Sequence, residues 1–131
     1  MARESDSYDE VPYIGRIHFQ SHVDTLATIS RLFGVPSADP QQCRVLEIGC
    51  ADGSNILTMA FHLPGSTFVG VDGSAPQIAR GQRLIDDLEL ENITLVATDL
   101  RELGPELGDF DYIIAHGIFS WIAEDARHAL M

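Results

Sequence analysis

Four chain positions combine a reactive side chain with the end of a short apolar run: Glu47 inside Val-Leu-Glu-Ile, Asp72 after Thr-Phe-Val-Gly-Val, Asp99 after Ile-Thr-Leu-Val-Ala-Thr, and His116 after Tyr-Ile-Ile-Ala. If these runs are parallel strands, their C-terminal ends share one edge and the side chains line one crevice. Glu47 stands two residues before Gly49, in the stretch Val-Leu-Glu-Ile-Gly-Cys-Ala-Asp-Gly-Ser-Asn at 45–55. A buried strand there delivers a Gly-containing turn to a helix N-terminus, the means by which α/β domains build nucleotide pockets. A carboxylate at that place repels a pyrophosphate but suits hydroxyls, an ammonium or a sulfonium. The loop therefore points to a cationic, phosphate-free cofactor. Asp72 follows Gly49 by a little over about 20 residues, a spacing that suits an acid gripping both hydroxyls of a ribose from the neighbouring strand.

A dinucleotide fingerprint fails on this loop. Aligned on Gly49, the second and third glycines of G-x-G-x-x-G fall on Ala51 and Ser54. Those glycines let a pyrophosphate approach and let the helix pack on the strand. A lone strand-end aspartate is commonly a turn former or helix cap, and Asp99 taken singly fits that role. The three acids together, each after an apolar run, favour a site.

The elements that must position these residues alternate along the chain. A first helix is expected at about 22–33, with Ser21 and Asp24 spaced as a capping box, closed by Gly34, Pro36 and Pro40. Strand one spans about 43–48, a helix 54–63, strand two 67–71, a helix 75–90 with Ser74 and Gln77 spaced as a second capping box and Pro76 in its first turn, strand three 93–97, strand four 111–115, and a short helix runs from about Ser120. Strands alternating with helices predict an α/β, Rossmann-like doubly wound parallel sheet of order 3-2-1-4. Residues 1–40 form an N-terminal cap segment and helix, and 41–131 a partial cofactor-binding domain. The chain reaches its last residue within a helix after strand four. That leaves an apolar strand edge, which predicts an N-terminal piece of a longer protein or a partner, such as a second copy, covering the edge.

Composition limits the alternatives. A chain of 131 residues with 45% hydrophobic residues suits one folded domain. Its net charge is −12, and all eight basic residues are arginine, which argues against a nucleic-acid backbone as main partner. The apolar runs are too short to cross a bilayer, and the polar, acidic start lacks the apolar core of a secretory leader. A cytoplasmic location is the expectation. Cys43 and Cys50 flank one strand and read as reduced thiols.

Residues 45–55, Phe-Val-Gly-Val-Asp-Gly-Ser at 68–74, Thr98-Asp99-Leu100, and Phe-Asp-Tyr-Ile-Ile-Ala-His-Gly at 110–117 resemble, in that order, the signatures of class I S-adenosylmethionine-dependent methyltransferases. The resemblance covers about residues 41–122. Tyr-Asp-Glu-Val-Pro-Tyr at 8–13, Gln20-Ser21-His22 and His-Gly-Ile-Phe-Ser-Trp at 116–121 resemble, more narrowly, bacterial methyltransferases that carry a C-terminal regulatory domain, some of them similar to protein-lysine methyltransferases. The resemblance implies S-adenosyl-L-methionine as cofactor. It places Glu47 and the loop Gly49, Cys50, Ala51 and Gly53 at the methionine end, with Glu47 near the ammonium. It places Asp72 on the ribose, Gly73 and Ser74 beside the adenine, and Asp99 with Leu100 at the adenine amino group and ring. Asn55 and Gln77 complete the cofactor-contacting set, and His116 lies near the methyl group and the acceptor. Ala51 departs from the usual glycine.

Methyl transfer from a sulfonium asks mainly for alignment and exclusion of water, and an amine acceptor must also lose a proton. His116 is the candidate for that proton, against the plainer role of a hydrogen-bonded structural residue. His18 and His22, four apart with no third ligand, do not make a zinc site. Cys50 at a helix N-terminus could be a nucleophile, but no histidine is near it in sequence. The 8–13 segment is either a lid over the cofactor or a tail, and Phe119 and Trp121 are expected to pack the last helix on the sheet. The acceptor stays open, an amine or protein side chain such as lysine among the candidates. An aminopropyl transferase lacks a paired acid set for a polyamine. A catalytically inactive module on the same fold, needing a partner or further chain, is the competing reading.

Overall fold

The computed structural model describes residues 15–120 and 122–131, so the 8–13 segment and Trp121 lie outside the described residues. Four strands, β1 (Arg44–Ile48), β2 (Thr67–Asp72), β3 (Ile93–Ala97) and β4 (Tyr112–Ile114), alternate with helices α1 (Val23–Leu32), α2 (Ser54–His62), α3 (Ala75–Asp87) and α4 (Glu124–Leu130). All pairings are parallel and the order is β3-β2-β1-β4, as the alternation predicts. Glu47 of the central β1 lies level with Gly70 of β2 and Ile114 of β4.

Both faces of β1 are buried because its side chains alternate between two cores. On one face Val45, Phe68, Ile93, Leu95, Tyr112 and Ile114 pack with Val23 and Ala27 of α1, Ile56 and Met59 of α2, and Ile78 and Ile85 of α3. On the other, Leu46, Ile48 and Val71 are buried beneath Leu100, Leu103, Leu107 and Leu130, which come from two 3₁₀ turns (Leu100–Glu102 and Pro105–Leu107), the residue capping the first of them, and α4. β4 pairs only with β1 among the described residues, and its Ile113 is 61% exposed.

Local chemistry sets the ends of the helices, and here the boundaries differ from the periodicity. α3 stops at Asp87 rather than 90 because Glu89 turns left-handed (φ +52°), so that its N–H reaches the Asp86 carbonyl and that of Leu90 the Ile85 carbonyl. This Schellman arrangement folds Leu90 back onto the core. Gly34 (φ +71°) closes α1 in the same way, through Gly34 to Arg31 and Val35 to Ser30. The cap of α1 is His22, whose Nδ1 accepts from the Asp24 N–H at 3.2 Å. Ser21, expected in that role, is instead turned inward and buried. Ser74 takes the N-cap position of α3. α4 begins at Glu124, not Ser120, with Glu124 and Asp125 in the first turn where the helix dipole favours acids. Phe119 is half exposed and carries the Arg127 guanidinium 5.3 Å above its ring rather than joining either core.

One glycine ties the fold to the loop at 49–53. Gly81 is buried in the middle of α3, and a Cβ there would come within 2.2 Å of the Asp52 carbonyl oxygen and 2.4 Å of Leu95 Cδ1. Alanine improves helix propensity, yet Gly81→Ala is expected to destabilise the fold by about 1–3 kcal/mol, because backbone cannot yield as a side chain can. Urea unfolding that shows equal or greater stability would contradict this packing.

Candidate functional site

The four sequence-predicted strand-end residues come together on one edge of the sheet. Glu47 lies within β1, Asp72 ends β2, Asp99 stands just beyond β3 and His116 just beyond β4. Between β1 and α2 the backbone makes a tight loop in which Gly49, Ala51 and Gly53 all have positive φ (71°, 53° and 76°). The Gly49 and Cys50 N–H groups both donate to the Val71 carbonyl, at 2.8 and 3.1 Å, and the Ala51 N–H donates to Asp72 Oδ2 at 2.8 Å. Asp72 Oδ1 accepts from the Ser74 N–H at 2.8 Å. Asp72 thus joins the loop of β1 to the start of α3 and stays half-buried. Asp52 Oδ1 accepts from the Ser54 N–H and hydroxyl, which settles the entry to α2. Ala51 holds a left-handed conformation that costs an L residue about 1–2 kcal/mol, so the departure from glycine leaves the loop's path intact at a local strain.

Glu47 is the electrostatic centre. It is 4% exposed; Oε1 accepts from Asn55 Nδ2 at 2.9 Å, while Oε2 is buried with no hydrogen-bond partner among the described residues. Burial, opposed by the Asn55 bond and reinforced by the negative charges of Asp72 and Asp52, pushes its carboxyl up to about 7. A buried acceptor beside two further carboxylates is the environment an ammonium group completes, and a pyrophosphate has no place there. This orphaned oxygen shows that the donor set fits the methionine end of S-adenosylmethionine.

The remaining predicted residues divide. Gly73 is exposed and has open space where a Cβ would stand, leaving room for a planar ring beside β2. Gln77 is buried in the first turn of α3, and Leu100 is half-buried in the second core. Asp99 is more committed than its position suggests. Its Oδ1 accepts from the Arg101 N–H and Nε–H, its Oδ2 accepts from Arg101 Nη2, and Arg101 Nη1 reaches Asp125 Oδ2 at 2.8 Å. The Arg101 guanidinium holds the Asp99 carboxyl at about 2. Cys50 is buried with its thiol pushed upward by desolvation and by Glu47, an environment that disfavours a thiolate nucleophile. Both cysteines are free and buried.

Two features escape the sequence reading. His116 is exposed and stacks on His18, ring centroids 3.8 Å apart and planes at 22°, so an N-terminal residue is brought to the end of β4. Asn55 links Glu47 to that same segment, accepting from the His18 N–H at 2.9 Å and donating to Ser21 Oγ at 3.2 Å. No local pattern joins residues so far apart in sequence. An open cleft of about 530 Å³ is lined by residues 15–17, Ser54, Leu57, Thr58 and Leu84, with Ser54 bonded to Asp52 but neither Glu47 nor Asp72 in the lining.

A doubly wound parallel sheet with an acid within β1 and another at the end of β2 is the architecture of an α/β cofactor-binding domain. The chain belongs to the S-adenosylmethionine-dependent methyltransferases: the family described as Methyltransferase domain matches residues 46–131. Over 125 residues it is 36% identical to uncharacterized protein RP028 of Rickettsia prowazekii, covering 95% of this chain and 50% of that protein. It is 35% identical to uncharacterized protein RP789 of the same organism, covering 95% of this chain and 22% of that one. The chain thus spans half or less of the length of these relatives. PKMT2 from Rickettsia typhi, solved in complex with AdoHcy, superposes with a TM-score of 0.87 at 34% identity, over 91% of this chain and 23% of that one. The family's cofactor is S-adenosylmethionine.

The raised carboxyl has a stability consequence. Between the unfolded value of 4.5 and the folded value of about 7, the folded chain holds a proton that the unfolded chain has released. The stabilising contribution of this group is complete below the first value and is lost as pH rises through the second. Relative to Glu47→Gln, the wild-type chain is expected to lose about 2–3 kcal/mol of unfolding free energy over that interval. Urea denaturation at a series of pH values checks this, and parallel curves for the two proteins would count against a protonated Glu47.

Proposed function

We propose that this chain is the cofactor-binding part of a methyltransferase that modifies an amine, with a protein lysine side chain as the acceptor class. The carrying observation is the buried, unpartnered Glu47 Oε2, which supports an ammonium at the β1 end of the crevice. In this reading Glu47 receives the ammonium and the 49–53 backbone carries the methionine end. Asp72 receives the ribose hydroxyls, Gly73, Ser74 and Gln77 border the adenine, and Asp99 and Leu100 close its far side. His116, exposed at the end of β4, stands where the acceptor approaches. S-adenosylmethionine supplies a methyl group already activated on a sulfonium, so the chain's residues act by holding and orienting rather than by covalent chemistry. The acidic surface, at net charge −12, favours a cationic acceptor over a polyanion. Among the described residues no helix is long and apolar enough to cross a membrane. A cytoplasmic place of action fits the reduced cysteines.

The exposed Ile113 on the β4 edge supports a second reading, in which the chain is a cofactor-binding module that acts only when a further segment or a second copy covers that edge. Methyl transfer by the 131-residue chain while it sediments as a monomer would exclude it.

Asp72→Ala is expected to weaken S-adenosylhomocysteine binding at least about tenfold, through loss of a bidentate carboxylate grip and of the Ala51 N–H bond. Isothermal calorimetry reads this directly, and unchanged affinity would remove the ribose from Asp72. For the acceptor, the protein is incubated with methyl-labelled S-adenosylmethionine and polylysine. The chain has no lysine of its own, so any labelled lysine reports the acceptor. Label found only on carboxylates of the chain, with none on polylysine, would overturn the amine.

A further inference from the structure

Asn55 was expected among the residues that touch the cofactor, but its hydrogen bonds run elsewhere. The side chain is 4% exposed at the second position of α2. Both amide hydrogens are used, one on Glu47 Oε1 at 2.9 Å and one on Ser21 Oγ at 3.2 Å, while Oδ1 accepts from the His18 N–H at 2.9 Å. The partners fix which way the amide points: turned over, its NH₂ would face the His18 N–H and its oxygen would face a carboxylate. Ser21 completes the set by donating its hydroxyl proton to the His18 carbonyl at 3.1 Å, which leaves its oxygen free to accept from Asn55. One buried amide therefore joins three separate pieces of chain: the central strand through Glu47, the N-terminal segment through His18 and Ser21, and the end of β4 through the His18–His116 stack.

Two consequences follow from that geometry. Because Asn55 occupies only Oε1, it orients the Glu47 carboxylate and leaves Oε2 as the one oxygen available to a cation. Because the same amide anchors His18 and Ser21, the segment leading into α1 is held against the cofactor loop. Gly15 lies so close to that loop that a Cβ would meet Asp52 Oδ1 at 2.2 Å and Ser54 Oγ at 2.6 Å. The groups facing the segment are His116, Asp52 and Glu47; burial, His116 and Arg16 hold the His18 imidazole below its ordinary value where it stacks on His116.

We infer that Asn55 is a positioning residue: through one hydrogen-bonded amide it aims Glu47 at the cofactor's ammonium and couples cofactor binding to docking of the 15–21 segment. This rests on the reading that places the ammonium at Glu47. A ligand that orders Glu47 then tightens the segment, and a docked segment raises affinity by the same factor, as linkage requires.

The test uses S-adenosylhomocysteine and the 131-residue chain, with calorimetry across a pH series and trypsin cleavage after Arg16, which is exposed within the segment. In the wild type, affinity is expected to fall as pH drops below about 7, where Glu47 takes up its proton, and the ligand should slow cleavage after Arg16. Asn55→Leu keeps the branched shape, with bulkier methyl groups in place of the amide atoms, and removes all three bonds. It is expected to weaken binding about tenfold, to move the pH midpoint upward by about one unit because the ionised carboxylate loses its donor, and to abolish ligand protection of Arg16. Ser21→Ala keeps the Glu47 bond, so it should speed cleavage after Arg16 while leaving the pH midpoint in place. A merely structural asparagine would lower stability without moving that midpoint, and this result would overturn the inference. Should Asn55→Leu not fold, the inference stands or falls on Ser21→Ala: weaker protection with an unmoved midpoint supports it, and protection equal to that of the wild type overturns it. A wild-type chain that does not bind the ligand would overturn the ammonium reading as well. A chain that binds it, while Asn55→Leu keeps both midpoint and protection, would overturn the role of Asn55 alone.

Discussion

A carboxyl group buried at the end of the central strand, with one of its two oxygens left without a donor, is the constraint on which the site turns. Removing Glu47 from water costs free energy that a single hydrogen bond from Asn55 does not offset, and its neighbours Asp52 and Asp72 add repulsion. A fold optimised for stability alone would place an apolar residue there. Retaining the acid makes sense when a cation completes it.

The rest of the architecture keeps that edge in register. Parallel pairing aligns the strand ends, and the 49–53 loop is held from both sides, by the Val71 carbonyl and Asp72 on one and by the close contact of α3 at Gly81 on the other. Left-handed residues at Gly49, Ala51 and Gly53 turn the chain sharply enough to start α2 directly beside Glu47, which puts Asn55 within reach. The strain at Ala51 is tolerated because its N–H is paired with Asp72, so neighbouring structure over-determines the turn.

Much of this was legible beforehand. The short apolar runs and punctuating glycines and prolines located all four strands, because such runs are carried by neighbouring residues, and their order follows from the doubly wound alternation of strand and helix. Helix ends were less so. A Schellman turn normally advertises itself by glycine, as at Gly34, but α3 uses Glu89, which carries no such signal. The cap of α1 shifted by one residue because Ser21 was recruited into the interior by Asn55, a partner 34 positions away. Asp99, read singly as a turn former or cap, does cap the Leu100–Glu102 turn through the Arg101 N–H, and what only the tertiary arrangement adds is the link from Arg101 onward to Asp125.

By itself the sequence carried the residue types at the strand ends, a loop without the glycines of a dinucleotide fingerprint, and an ordered set of motifs that resembles methyltransferases. The first two depend on spacing within about 30 residues, the reach of one strand–helix–strand unit. The tertiary structure decided which charges survive and which segments meet. Glu47 is protonated or paired according to how deeply it is buried, and His18 reaches His116 because a buried amide brings the N-terminal segment to the far end of the sheet. Burial and long-range hydrogen bonding are properties of the folded surroundings, and no window of sequence contains them.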